Sequence, residues 1–263
     1  MGSMKALAFE SHGALENIRL MDLPQPEPSR GEVLVEIHAA ALNRLDLWVT
    51  EGWPGLKLRL PHILGSDGAG VVAAVGPDVT RFAPGDRVAI NPTICNNPLD
   101  HFARLGRDNM CDDFAIFGEH VAGFYAEYAV VPERNLLKLP EEICFETAAA
   151  ASLVFVTAWH SLITRGRLQP GESVLVVGAG GGVNTAAIQI ARLVGAGPIL
   201  VVGSSADKLA LAGKLGADIL INRREADWSR EAYRLTGKQG VDVVVDNVGA
   251  ATFPSSLRAL RRG

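Results

Sequence analysis

The residues best placed to do chemistry lie in one turn. Val174-Leu-Val-Val177 is an apolar run that ends in Gly178-Ala-Gly180-Gly181-Gly182 and passes straight into Val183 and Asn184. A buried strand that runs through glycines into a helix forms a phosphate cradle. The first glycine allows a tight turn, and the next lets the backbone approach a pyrophosphate. The helix N-terminus offers unpaired N–H groups and the positive end of its dipole. The strict G-x-G-x-x-G pattern is not met, because its last position, counted from Gly178, falls on Val183. A G-x-x-G-x-x-G reading places Gly178 and Gly181 and ends on Asn184. Dinucleotide binding is the chemistry expected of Gly178, Gly180, Gly181, Gly182 and Val183, against the plainer reading of a flexible turn.

The next apolar run ends at Val202-Gly203-Ser204-Ser205-Ala206-Asp207-Lys208. A carboxylate that holds the adenosine ribose of NAD belongs about 20 or more residues past the first glycine. That position falls on Gly203, so no carboxylate repels a 2′-phosphate. Ser204, Ser205 and Lys208 offer donors to one, and NADP(H) is the expected cofactor. Arg223 and Arg224 follow the third strand and add positive charge, either as phosphate contacts or as a solvated face. Asp207 is the competing acid. It lies several residues late and reads better as a helix N-cap.

The remaining composition limits the function classes. The chain has 263 residues, 48% hydrophobic and 21% charged, with a net charge of −4. This is the make-up of a globular protein able to bury real cores. With 25 Lys+Arg against 29 Asp+Glu and no long basic run, an extended nucleic-acid binder is excluded. Cys95, Cys111 and Cys144 are too few for a disulfide scaffold, so a reducing cytoplasm is expected. No basic stretch precedes an apolar one at the N-terminus, so no signal peptide is read. The longest apolar stretch, residues 148–159, is shorter than the ~20 residues of a membrane span and carries Ser152 and Thr157, so no membrane segment is read either.

The elements that must position these residues fall into two textures. Residues 4–145 read as short strands at 33–37, 68–76, 87–90, 126–131 and 136–139, with a turn at Pro84-Gly85-Asp86 and a proline-rich surface loop at 20–28. Met1-Gly2-Ser3 are left out of the expected fold. Strands at this spacing, punctuated by Pro and Gly, predict a barrel or roll. A long helix with four consecutive alanines is expected over 147–165. Strands at 173–177, 198–202, 218–222 and 241–246 then alternate with helices at 183–194, 207–215, 226–235 and 251–260. Strict alternation means a parallel sheet with right-handed crossovers. The chain stops at Gly263, early in the second βαβαβ half. The sheet is therefore expected to be incomplete, with an exposed edge, low solubility and weak activity.

Several motifs resemble those of the medium-chain dehydrogenase/reductase superfamily, the zinc-type alcohol dehydrogenases and quinone oxidoreductases. They are Gly31-Glu-Val-Leu-Val-Glu36, Pro61-His-Ile-Leu-Gly65-Ser66-Asp67-Gly68-Ala-Gly70-Val-Val, Pro84-Gly-Asp-Arg-Val88, Tyr125-Ala-Glu-Tyr128, Leu215-Gly-Ala-Asp218 and Asp242-Val-Val-Val-Asp246-Asn-Val-Gly249. The resemblance covers nearly the whole chain. It implies an α/β plus β architecture: a GroES-like catalytic barrel over residues 1–147, then a Rossmann domain, a doubly wound parallel sheet, over 148–263. It also implies an active site in the cleft between the two.

The departures from the alcohol dehydrogenases are informative. By resemblance, their catalytic zinc is held by a Cys, a His with a neighbouring Glu, and a second Cys. Here those positions read Asn43, Ser66-Asp67 and Leu153, and the proton-relaying hydroxyl is replaced by Leu45. Asp67 alone cannot hold zinc, which wants about four N, S or O ligands. No catalytic zinc is therefore expected, and without that Lewis acid alcohol oxidation loses its support. In the lobe where relatives carry a structural zinc, Cys95, His101 and Cys111 remain, with Pro98 at another cysteine position. Asp100 or Asp112 is an available fourth ligand. A lobe of ordinary residues is preferred to a retained metal, and Cys144 is expected in the core.

The resemblance also assigns roles. Arg44 is expected at the cofactor phosphates, Thr157 near the nicotinamide, and Asn43 as a donor to the substrate oxygen. Asp46 is expected to brace Arg44 or its loop. Asn247 and Val248, in the matching segment after the fourth strand, are expected at the cofactor. His62 and His160 are weaker candidates as proton donors. The favoured reading is a zinc-independent, NADPH-linked oxidoreductase acting on a quinone or an α,β-unsaturated carbonyl. Two alternatives stay open: an alcohol dehydrogenase-like enzyme with a structural metal, and a non-catalytic NADP(H)-binding protein. A small-molecule substrate is expected, with no nucleic-acid or membrane partner and a homodimer in the full-length form.

Overall fold

The structure, a computed structural model, describes residues 2–262 except Asn96 and Pro98. Pro98, read as a lost cysteine position, and Gly263, where the sheet was expected to break off, thus lie outside the described residues. The chain divides into two compact units, Met1–Leu153 and Val154–Gly263.

The first unit is built on antiparallel strands. In order they are β1 (Ser3–Phe9), β2 (Arg19–Pro24), β3 (Glu32–Ala41), helix α1 (Arg44–Glu51), β4 (His62–Ile63), β5 (Asp67–Val75), β6 (Arg87–Ile90) and β7 (Thr93–Cys95). The short helix α2 (His101–Arg104), β8 (Phe114–Ile116), β9 (Tyr128–Pro132) and β10 (Leu136–Lys138) follow. They form sheets in the orders β2-β1-β4, β10-β6-β5-β3-β9 and β7-β8. Val33 and Val35 of β3 point into one core with Val72, Val88 and Ile90, while Met4, Ala6 and Ala8 of β1 line a second with Ile63. A Cβ at Gly70 would collide with the Glu36 carbonyl, so only glycine lets β5 lie this close to β3.

Two expectations are corrected here. The proline-rich stretch is not all loop: β2 occupies Arg19–Pro24 and pairs antiparallel with β1. It is an edge strand, where a terminal proline costs no ladder bond. Ser3, set aside in the sequence, pairs with Pro24.

The helix α3 (Phe145–Trp159) passes into a wider π turn, His160–Arg165. Counted together these 21 residues are long and apolar enough to cross a membrane by length and composition alone, a longer range than the apolar stretch 148–159 read from the sequence. Ala148 and Ala149 are nevertheless buried in a cluster with Ala69, and Ala158 and Leu162 in the core of the second unit.

That second unit alternates β11 (Val174–Val177), α4 (Gly182–Leu193), β12 (Ile199–Gly203), α5 (Ala206–Lys214), β13 (Ile219–Asn222), α6 (Trp228–Leu235), β14 (Val243–Asp246) and α7 (Phe253–Ala259). All pairings are parallel, in the order β13-β12-β11-β14. Val174, Val176, Ile199 and Val201 enter one core, and Leu175, Leu200, Val202 and Ile221 the other. Successive residues of a strand point to opposite faces, so continuous apolar runs are what a sheet covered on both sides requires.

Candidate cofactor pocket and active-site residues

In the second unit the strands deliver the glycine turn to the mouth of a pocket of about 290 Å³. Gly178 leaves β11 with φ +113°, a conformation that favours glycine, and Gly181 is the N-cap residue of α4. The pocket is lined by Gly178, Gly180, Gly181, Gly203, Ser204, Lys208, Arg223 and Val248, so most of the expected cofactor residues converge. The Lys208 stem lies over the turn: a Cβ at Gly180 would stand 2.6 Å from its Cδ. Gly182 and Val183 form the first turn of α4 and Ser205 caps α5 in position. Asp207, read as an N-cap, sits inside the first turn of α5. Asn247 donates to Asn184 Oδ1 at 2.6 Å.

Trp228 and Thr252 line the same pocket and were not anticipated. The signal for Trp228 was local. Asp227 caps α6, accepting from Ser229 and Arg230 N–H, which fixes where the helix starts and hence where its first side chain points. Gly203 has a packing role besides its missing carboxylate. A Cβ there would stand 2.8 Å from Ala179 Cβ and 2.9 Å from Leu209 Cγ. The residues present suit two phosphate groups: a glycine turn at a helix N-terminus for a pyrophosphate, and two cationic side chains with one hydroxyl for a further phosphate.

In the first unit the three positions compared with zinc ligands do meet, but through hydrogen bonds. Asn43 Nδ2 donates to Asp67 Oδ2 at 2.6 Å, and the Leu153 N–H donates to Asp67 Oδ1 at 2.6 Å. Asp67 is 1% exposed. Burial, helped by the Asp46 charge, pushes its pKa up to about 6 against the opposing pull of the Asn43 and Leu153 bonds. With Asn, Ser, Leu and a single carboxylate whose two oxygens are both taken, this donor set does not fit a zinc ion. The adjacent Ser66 hydroxyl is buried without a hydrogen-bond partner.

Asn43 is the N-cap of α1, and Asp46 Oδ2 accepts from its backbone N–H at 2.7 Å and from Tyr125 Oη at 2.7 Å. Burial raises the pKa of Asp46. Its bonds thus brace the start of the helix, while Arg44 stands exposed at the first helical position. Asn43 Nδ2 also reaches the Ala41 carbonyl, at a weak 3.4 Å. Thr157 lies half-buried on α3 in the second unit, its carbonyl accepting from Ser161 Oγ at 2.8 Å. His62 is buried, Nε2 lies 3.1 Å from the Gly118 carbonyl, and burial lowers its pKa.

The β7–β8 lobe brings a different set together than expected. Cys95, Cys111 and Asp113 present ligand atoms within 4.8 Å of one another. Asp112 and His101 are exposed, the latter edge-on to Phe102. Burial raises the Cys111 thiol pKa, reinforced by hydrogen bonds with Cys95 and Asp100. Two thiols beside two carboxylates suit a soft divalent cation, whose charge would reverse that effect. Cys144, expected in the core, is exposed and 3.1 Å from Thr147 Oγ1.

Two family profiles match the chain: "Alcohol dehydrogenase GroES-like domain" over residues 29–141 and "Zinc-binding dehydrogenase" over residues 182–263. The chain belongs to the medium-chain dehydrogenase/reductase superfamily, a superfamily of oxidoreductases. It is 38% identical to a zinc-type alcohol dehydrogenase-like protein of Schizosaccharomyces pombe, over 88% of this chain and 65% of that one. Identity is 33% to the acryloyl-coenzyme A reductase of Metallosphaera sedula, over 99% of this chain and 74% of that one. The human quinone oxidoreductase is 31% identical, over 99% of this chain and 71% of its own length. A crystal structure of an NAD-dependent alcohol dehydrogenase superposes with a TM-score of 0.94 at 47% identity, covering 98% of this chain and 75% of that one. This member of the superfamily thus spans roughly two thirds to three quarters of the length of these relatives.

Two outcomes follow from the site geometry. Zinc titrated into metal-free protein is expected to bind, if at all, at the lobe. Elemental analysis should show it lost in Cys111→Ser and kept in Asp67→Asn, and zinc lost with Asp67 would contradict the hydrogen-bond reading. The raised pKa of Asp67 carries a sign. Between about pH 4 and 6 the folded state holds a proton that the unfolded state has lost, so stability falls as pH rises and levels off above 6. Thermal unfolding across this range should show wild type losing on the order of 3 kcal/mol relative to Asp67→Asn, and equal slopes would exclude it.

Proposed function

We propose that the protein is a zinc-independent, NADPH-linked oxidoreductase that passes hydride to a quinone or an α,β-unsaturated carbonyl. The observation that carries this reading is Asp67, whose two oxygens are spent on Asn43 and Leu153 where a zinc-dependent relative would place metal ligands. Bound NADPH supplies the hydride, and the protein binds and orients. Lys208, Arg223 and Ser204 hold the 2′-phosphate. The turn from Gly178 to Gly182 and the free N–H groups of α4 hold the pyrophosphate. Thr157 faces the nicotinamide, and the backbone of Asn247 and Val248 completes the contacts to the cofactor within this unit. Asn43 keeps one amide hydrogen on Asp67, and the other, held only at 3.4 Å by Ala41, turns to the substrate oxygen as negative charge develops there.

The quinone and acryloyl-coenzyme A relatives support this acceptor class. The NAD-dependent neighbour makes NADH the competing cofactor. A second reading rests on Cys95, Cys111 and Asp113, which suit a structural metal and leave the proposed reaction unaffected.

Gly203→Asp is an unclean test of cofactor choice, since the new side chain would press on Ala179. Lys208→Ala is cleaner: it is expected to weaken NADPH binding about tenfold and NADH binding little. Equal loss of both would remove the 2′-phosphate assignment. Loss of NADPH absorbance should be followed with quinones and enones, with and without chelator. Turnover insensitive to chelator is expected. Chelator-sensitive oxidation of a primary alcohol would replace this reading, and binding without turnover would favour a non-catalytic NADP(H)-binding protein.

A further inference from the structure

Asn184 stands where the glycine pattern ends, and its side chain is not idle. It is 6% exposed, and Nδ2 donates to the Val177 carbonyl at 3.0 Å and the Gly178 carbonyl at 2.8 Å. Two carbonyl acceptors fix the orientation of the amide, so Oδ1 must face a donor. That donor is Asn247 Nδ2, at 2.6 Å. The position of this bond in the sheet matters. Val177 and Asp246 are the last residues paired between β11 and β14. One residue further on, the backbone ladder has stopped and the Asn184–Asn247 bond takes over. Gly178 is adapted to the same arrangement: a Cβ there would lie 2.7 Å from Asn184 Nδ2.

The loop beyond Asn247 is tied together by one carboxylate. Asp246 Oδ1 accepts from Val248 N–H at 2.9 Å, Gly249 N–H at 3.3 Å and Thr252 Oγ1 at 2.8 Å, and Oδ2 from Ser256 Oγ at 2.6 Å. Val248 and Thr252 line the same pocket as the glycine turn. We infer that Asn184 is a positioning residue that latches the glycine turn to the loop after β14 and so sets the spacing of two walls of the cofactor pocket. The inference rests on the proposed NADPH reading for its functional consequence, though the latch itself exists without cofactor.

Asn247 is exposed, so its replacement spares the core and tests the latch without unfolding the unit. Binding of NADPH and of 2′,5′-ADP should be measured by calorimetry for wild type, Asn247→Ala, Asn247→Ser, Asn184→Ala and the double variant. Asn247→Ala is expected to weaken NADPH about five- to tenfold, one lost hydrogen bond, and 2′,5′-ADP less than about twofold. Asn247→Ser, which keeps a donor, should recover part of the loss. The double variant should be no weaker than Asn184→Ala, because the two residues act as one. Wild-type NADPH affinity in Asn247→Ala, or equal losses for both ligands, would overturn the latch. Amide exchange of residues 178–181 and 247–249 without cofactor separates the two readings. If wild type binds neither ligand, the cofactor reading falls. Faster exchange at both segments in Asn247→Ala then still supports the latch, and unchanged exchange overturns it.

Discussion

A carboxylate taken out of water must find its partners inside the protein, and the first unit is arranged around one that does. Asp67 begins β5, at the point where β5 pairs with the end of β3 at Ala41. From there it reaches the cap of α1 through Asn43 and the middle of α3 through the Leu153 N–H. Three segments far apart in sequence are thereby held to one point. Breaking either bond would leave a buried charge short of a donor, a larger loss than the net value of the bond itself. The neighbouring Asp46 extends the arrangement, tying the first turn of α1 to Tyr125.

The second unit meets the same demand with neutral groups. Parallel strands end with carbonyls and N–H groups pointing out of the sheet edge, and these ends form the pocket. Gly178 N–H bonds the Val202 carbonyl and Arg223 N–H the Gly203 carbonyl, carrying the ladder slightly past the strands. Asn184 covers the next two carbonyls. These bonds satisfy the carbonyls of Val177, Gly178, Val202 and Gly203 at the strand ends, and the first turn of α4 offers the N–H groups that an anion requires.

Legibility in the sequence followed burial. Strand 87–90 was read residue for residue, and the second-unit elements lay within two residues of their observed ends, because runs such as Val174–Val177 are apolar on both faces. β1 carried no such signal. Its inward residues are Met4, Ala6 and Ala8 while the outward Leu7 is 42% exposed, so polarity does not alternate although burial does. Helix α1 was not expected, although Asn43 and Asp46, three residues apart, form a capping pattern whose acidic residue bonds the N-cap N–H. The lobe was half legible: two cysteines declared it, but Asp112 and Asp113 share a turn, and only its folded shape brings Asp113 to the thiols while Asp112 stays exposed.

The hydrogen-bonded centre around Asp67 also limits what the positions beside it can become. A metal site and this network make opposite demands on the same positions. Zinc wants several negatively charged or lone-pair donors facing inward, whereas Asp67 wants two N–H donors facing it. Restoring a single ligand, such as Asn43→Cys, exchanges an amide donor for a thiol that ionises poorly beside a buried carboxylate, and leaves Asp67 Oδ2 short of its partner. The Leu153 N–H cannot compensate, because it already serves Oδ1. Of the three positions only Asn43 carries that cost, because Ser66 has no hydrogen-bond partner to lose and a new side chain at Leu153 keeps the backbone N–H on Asp67. The network is thus held most tightly at Asn43, where the side chain and not the backbone supplies the donor to the buried carboxylate.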